Sequence, residues 1–101
     1  MIFDITKTEV IRFLLSTVRH FYETYRIDGF RIDAVTSMLY KHHGMGTNFS
    51  AGLGDYFNFS LDTESIAFIK LVIMFMKSLD PNIVFIAEDV SCFPTLCWPI
   101  E

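Results

Sequence analysis

Ile83-Val84-Phe85-Ile86-Ala87 is an unbroken apolar run closed by two carboxylates, Glu88-Asp89. A strand with one wet face would alternate apolar and polar residues. A continuous run instead reads as a strand buried on both faces of a parallel sheet. Immediately upstream, Pro81 stops a helix that Asp62 or Thr63 can cap and that runs to about Leu79 on Ile66, Ile69, Val72, Ile73 and Met76. Before that helix, the Asp28-Gly29 turn signal opens a second strand, Phe30-Arg31-Ile32-Asp33-Ala34-Val35, with a helical turn or two around Thr36 to Lys41. Strand, helix and strand in that order predict a right-handed parallel crossover and an α/β fold.

An amphipathic helix precedes this unit. Thr6 and Glu9 have capping-box spacing, and Val10, Phe13, Leu14, Val18, Phe21, Tyr22 and Tyr25 recur on one face. That aromatic stripe reads as core packing, with the helix ending near Tyr25. Residues 42–60 carry four of the five glycines and little periodicity, so they read as a long loop. Its rings, Phe49, Tyr56, Phe57 and Phe59, imply an ordered loop packed on something.

The chain has 101 residues, room for one small domain at most. Its net charge of −4 leaves no basic footprint for nucleic acid or an anionic membrane. A hydrophobic content of 51%, 11 Phe and a mean hydropathy of +0.37 exclude disorder and imply surface that wants covering. Two strands alone do not make a stable sheet. The composition therefore raises the question of whether this is a whole domain or a slice of one.

No targeting segment is legible, and the oiliest stretch, residues 66–76, is interrupted by Lys70 and too short to span a bilayer. A cytoplasmic location is expected. Two cysteines are too few for a disulfide scaffold, and Cys92 and Cys97 lack metal or redox spacing. His42 and His43 are adjacent rather than one helical turn apart, and Gly44-x-Gly46 has no phosphate-loop Lys. No metal and no cofactor are expected.

Chemistry enters at the strand ends. Alternation puts Arg31 and Asp33 on one face, and Val84, Ile86 and Glu88 on one face of the other strand. Both strands then end in a carboxylate at the carboxyl edge, where α/β folds place ligands. Arg31 is expected to hold Asp33 ionised, leaving Glu88 to carry a proton. One fixed anion beside one protonatable acid is the arrangement of glycoside chemistry.

The wording of the motifs is more specific. Asp28-Gly29-Phe30-Arg31-Ile32-Asp33 followed by Val35-Thr36-Ser37-Met38-Leu39-Tyr40 closely resembles the fourth-strand motif of glycogen and starch branching enzymes, members of the α-amylase family of (β/α)8-barrel proteins. His42-His43-Gly44-Met45-Gly46 and Phe49-Ser50 resemble the loop after that strand in the eukaryotic-type enzymes, and Tyr56-Phe57 and Asp62-Thr63-Glu64 continue the match. Ala87-Glu88-Asp89-Val90-Ser91, with Pro94 shortly after, resembles the fifth-strand motif. The resemblance implies that residues 1–101 are part of a (β/α)8 TIM barrel, one βαβ segment with a preceding helix.

It further implies Asp33 as nucleophile and Glu88 as proton donor, with Arg31, His43 and Asp89 in substrate-binding or supporting roles. The partner implied is an α-1,4-glucan, glycogen or starch, cleaved and rejoined through an α-1,6 linkage. Ile32 stands where the family has an aromatic, Ala34 where it has Gly, and Cys92-Phe93 where it has Gly-Met; Ala51-Gly52-Leu53-Gly54 replaces a more polar stretch. The family's third catalytic Asp and its His partner belong to a later strand. The chain alone is therefore expected to be inactive. The alternatives are a segment of an amylase-type hydrolase, and an inactive remnant or interaction fragment.

Overall fold

The computed structural model describes residues 3–45 and 61–100. The rings Phe49, Tyr56, Phe57 and Phe59 of the expected loop lie outside the described residues. The elements are α1 (Thr8–Tyr25), β1 (Gly29–Ile32), α2 (Val35–Leu39), α3 (Thr63–Leu79) and β2 (Val84–Ala87). The two strands pair in parallel, with Gly29 opposite Val84, Phe30 opposite Phe85, Arg31 opposite Ile86 and Ile32 opposite Ala87. A βαβ unit with a preceding helix is therefore observed.

Local chemistry sets the ends of α3. The Asp62 carboxylate accepts from the Ser65 N–H at 3.1 Å, satisfying one of the donors that a helix start leaves unpaired. In the last turn, Lys77 donates to the carbonyls of Pro81 and Ile83 at 3.4 and 3.1 Å, which favours the helix C-terminus and ties it to the start of β2.

The start of α1 differs from the expected capping box. Asp4 captures Thr6, accepting both its N–H at 3.1 Å and its hydroxyl at 2.6 Å. The helix begins two residues later behind Lys7, with no side-chain cap. It ends at Tyr25 as expected, where Arg26 turns left-handed (φ 51°) and donates its N–H to the Tyr22 carbonyl.

β1 is shorter than the reading of residues 30–35. Ala34 adopts the left-handed conformation (φ 52°, ψ 43°), which breaks the extended run, and Val35 starts α2. The core forms at this break. Val35, Leu39 and Tyr40 are buried and pack with Ile32, Leu61, Ile66, Ile69, Phe93 and Leu96. Each such aliphatic side chain taken from water contributes about 1.5–3 kcal/mol.

Among the described residues, the helices cover one face of the sheet. Phe30 and Phe85 stack on that side with centroids 5.8 Å apart, over a cavity of about 240 Å³ lined by Leu14, Val18, Phe68 and Val72. On the other face Val84 and Ile86 are 53% and 57% exposed, so β2 is not the doubly buried strand its composition predicts. The stripe of α1 is also less buried than expected: Phe13, Phe21 and Tyr25 are exposed, and no residue of that helix is fully buried. Both differences have one cause. The apolar surface encoded in these elements exceeds what a two-stranded sheet and its helices can cover.

Candidate active site

The parallel ladder continues one step beyond the strands. Glu88 donates its N–H to the Ile32 carbonyl at 2.9 Å, and Val35 donates its N–H to the Glu88 carbonyl at 2.8 Å. Asp33 and Glu88 thus emerge side by side at the carboxyl edge. Arg31 spans them from below: one guanidinium nitrogen lies 3.0 Å from Asp33 Oδ1, the other 3.3 Å from Glu88 Oε1. The Ala34 N–H completes the group, donating to Glu88 Oε2 at 2.9 Å.

These contacts reverse the expected sharing of the proton. Asp33 is held above its ordinary value, first by its hydrogen bond to Glu88 and by the negative charge of Glu88, with Arg31 pulling the other way. Glu88 is held below its ordinary value, first by the Ala34 N–H, then by Asp33, with Arg31 adding to the effect. Arg31 serves both carboxylates and so does not discriminate between them. The Ala34 N–H does, because a donor that cannot accept favours the ionised partner.

Asp89 faces inward. Oδ1 accepts from the Thr36 hydroxyl, from the Ser91 hydroxyl at 2.7 Å and from the Ser91 N–H at 3.2 Å; Oδ2 accepts from the Phe93 N–H at 2.8 Å. Partial burial raises its carboxyl, but the donors from Thr36, Phe93 and Ser91 outweigh this and leave it below the ordinary value. The Asp89–Ser91 spacing is that of an Asx-turn and was readable in sequence. The part played by Thr36, distant in the chain, was not.

His43, also left-handed (φ 57°), places Nδ1 2.9 Å from the Ser37 carbonyl. With Asp33, Ala34 and Met38 it lines a cleft of about 390 Å³, walled by Thr6 and Asp62. The structure therefore brings Asp33 to both Glu88 and His43, while Glu88 stands outside that cleft. Among the described residues no group of three or more His, Cys, Asp or Glu side chains is arranged to hold a metal ion. Nor is any helix among them long and apolar enough to cross a membrane.

No family model matches the chain. Individual proteins do. A 1,4-alpha-glucan-branching enzyme of Rhizophagus irregularis is 47% identical over 100 residues, covering 99% of this chain and 15% of that protein. Proteins of the same name from Aspergillus oryzae and Felis catus are 49% and 48% identical over 97% and 99% of the chain, and each is matched over 14% of its own length. Matched along nearly all of its own length, the chain is similar to a segment that makes up 14–15% of 1,4-alpha-glucan-branching enzymes.

Proposed function

We propose that this chain supplies the nucleophile and the proton donor of a glucan-branching reaction. The observation that carries the reading is the rim on which Asp33 and Glu88 stand in register with Arg31 bridging both. Similarity to proteins named 1,4-alpha-glucan-branching enzyme favours branching over hydrolysis. In a retaining transfer, Asp33 attacks the anomeric carbon of an α-1,4-linked glucose while Glu88 protonates the departing O4, giving a glycosyl ester on Asp33. Glu88, now ionised, then takes the proton of an incoming glucan 6-hydroxyl. That oxygen displaces Asp33 and closes an α-1,6 linkage, with both carboxyls restored.

The sheet fits one sector of a (β/α)8 barrel. Its strands are parallel, its helices lie on one side, and its bare face would look into the barrel. Cys92 and Cys97 are free thiols, in keeping with a cytoplasmic site of glycogen or starch synthesis.

Two features argue that the 101-residue chain does not perform the reaction alone. A complete barrel takes about 250 residues, and donor and acceptor need several strands to hold them in line. Moreover, Glu88 holds Asp33 above its ordinary value, through a hydrogen bond and through its negative charge. In this contact the proton favours Asp33, which is the wrong partner for attack.

The test has two arms. The chain alone, given amylose, should neither weaken iodine staining nor form α-1,6 linkages. Replacing the matching segment of the Aspergillus oryzae protein with this chain should give α-1,6 linkages that Asp33→Asn or Glu88→Gln abolishes. New reducing ends without α-1,6 linkages, or activity that survives both substitutions, would overturn the reading.

A further inference from the structure

Three consecutive residues leaving β1 grip three consecutive residues leaving β2. Ala34 donates its N–H to the Glu88 side chain, Val35 donates its N–H to the Glu88 carbonyl, and Thr36 donates its hydroxyl to Asp89 Oδ1 while accepting the Val90 N–H at 3.0 Å. The first two contacts belong to the site already described. The third touches neither Asp33 nor the Glu88 carboxylate.

Thr36 is only 8% exposed and Ser91 only 4%, so the hydroxyls that meet the half-buried Asp89 belong to buried residues. A buried hydroxyl needs partners, and Thr36 uses its donor and an acceptor at once. Asp89 receives four hydrogen bonds, shared between its two oxygens. Hydrogen bonds to an ionised acceptor are roughly twice as strong as neutral ones. The segment 89–93 is thereby wound around one carboxylate, and Cys92 is left-handed within that winding (φ 56°).

We propose that Thr36 and Asp89 are positioning residues for Glu88: their hydrogen bond locks the backbone on the carboxyl side of Glu88 to the first turn of α2, and so sets where the Glu88 carboxylate stands relative to Asp33 and the Ala34 N–H. The assignment rests on the reading of Glu88 as proton donor, and it takes Asp89 out of direct contact with glucan. Both oxygens of that side chain are engaged within the chain itself, by Thr36, Ser91 and Phe93.

The positioning can be read without substrate, from NMR titration of the 101-residue chain. The charged groups facing Glu88 are Arg31 and Asp33, and Asp33 also shares its cleft with Asp4, His43, Asp62 and Glu64. The Asp33 and Glu88 carboxyl carbons should titrate as a linked pair, and the Ala34 amide should follow Glu88. Thr36→Val keeps the shape and removes the hydroxyl. It should uncouple the pair, returning Asp33 downward and Glu88 upward toward ordinary carboxylates, and the Ala34 amide should cease to follow. Asp89→Asn should do the same, whereas Thr36→Ser should titrate as the parent does.

Amide shifts of α1 and α3 in the same spectra report whether a variant keeps the fold. A variant that loses it is replaced by Ser91→Ala, which removes one donor to Asp89 and should weaken the coupling partially. An unchanged titration in Thr36→Val, a Thr36→Ser that behaves like Val, or a parent chain without dispersed amides or without the linked pair would each overturn the proposal. Because no glucan is present, an inactive chimera would sink the branching reading while the linked titration still stood. An unchanged Thr36→Val titration would sink the positioning role while branching still stood.

Discussion

The backbone N–H of Ala34 lies 2.9 Å from Glu88 Oε2, so the residue after one strand-end carboxylate holds the other. That contact depends on the left-handed turn at Ala34, and both the strain of the turn and the proton balance of the pair lead to measurable consequences.

Ala34→Gly should stabilise the chain. An L-residue in the left-handed region costs about 1–2 kcal/mol, against about 0.4–1 kcal/mol for the greater freedom of an unfolded Gly. The net gain of about 0.5–1 kcal/mol should appear as a raised urea midpoint at constant slope. Ala34→Val should lower the midpoint, since a branched Cβ is worse accommodated at φ 52°.

Arg31→Gln should raise both carboxyls. The guanidinium lowers Asp33 and Glu88 alike, so its removal moves each upward. The order of the two should persist, because the Ala34 N–H remains. Carbon-detected titration of the side-chain carboxyls reads this directly.

Stability should respond to pH in opposite senses at Asp33 and Asp89. A carboxyl raised on folding, Asp33, binds its proton more tightly in the folded chain. Its contribution is fully present below the unfolded value of 3.8 and is lost as pH rises through the folded value. Asp89 is lowered, so its contribution is present above 3.8 and is lost as pH falls through its folded value. At neutral pH, Asp33→Asn should raise the denaturation midpoint and Asp89→Asn should lower it. Both differences should shrink toward pH 3, as measured by denaturation at a series of pH values.

Asp62→Ala should cost about 1 kcal/mol by removing the cap of α3. Thr6→Ala, at the position that the capping-box spacing singles out, should leave the helicity of α1 unchanged, because Thr6 bonds Asp4 and does not cap that helix. Circular dichroism with chemical denaturation separates the two outcomes.

Leu39→Ala should cost about 2–5 kcal/mol, as expected for a side chain 2% exposed in the core. Ile86→Thr, on the uncovered face, should fall within about 0.5 kcal/mol of the parent in the isolated chain. A large loss at Ile86 would mean that this face is covered in solution. Comparing the two midpoints at several protein concentrations makes the check.

What the sequence determined by itself is the set of local features. A helix needs a cap, a period and a stop, and Asp62, the Ile66-to-Met76 stripe and Pro81 supplied all three within 20 residues. Alternation alone placed Arg31 with Asp33, and Val84 and Ile86 with Glu88, while the motif wording around Asp33 and Glu88 pointed to the family that the relatives bear out. Tertiary structure decided what depends on groups brought together from far along the chain. The proton preference of the pair turned on the direction of one backbone N–H, set by the turn at Ala34 and meeting Glu88 across 54 residues. The inward engagement of Asp89 turned on Thr36, 53 residues away. Burial of the sheet faces was decided in the same way, because an apolar run specifies a preference for cover and not how much cover this chain supplies.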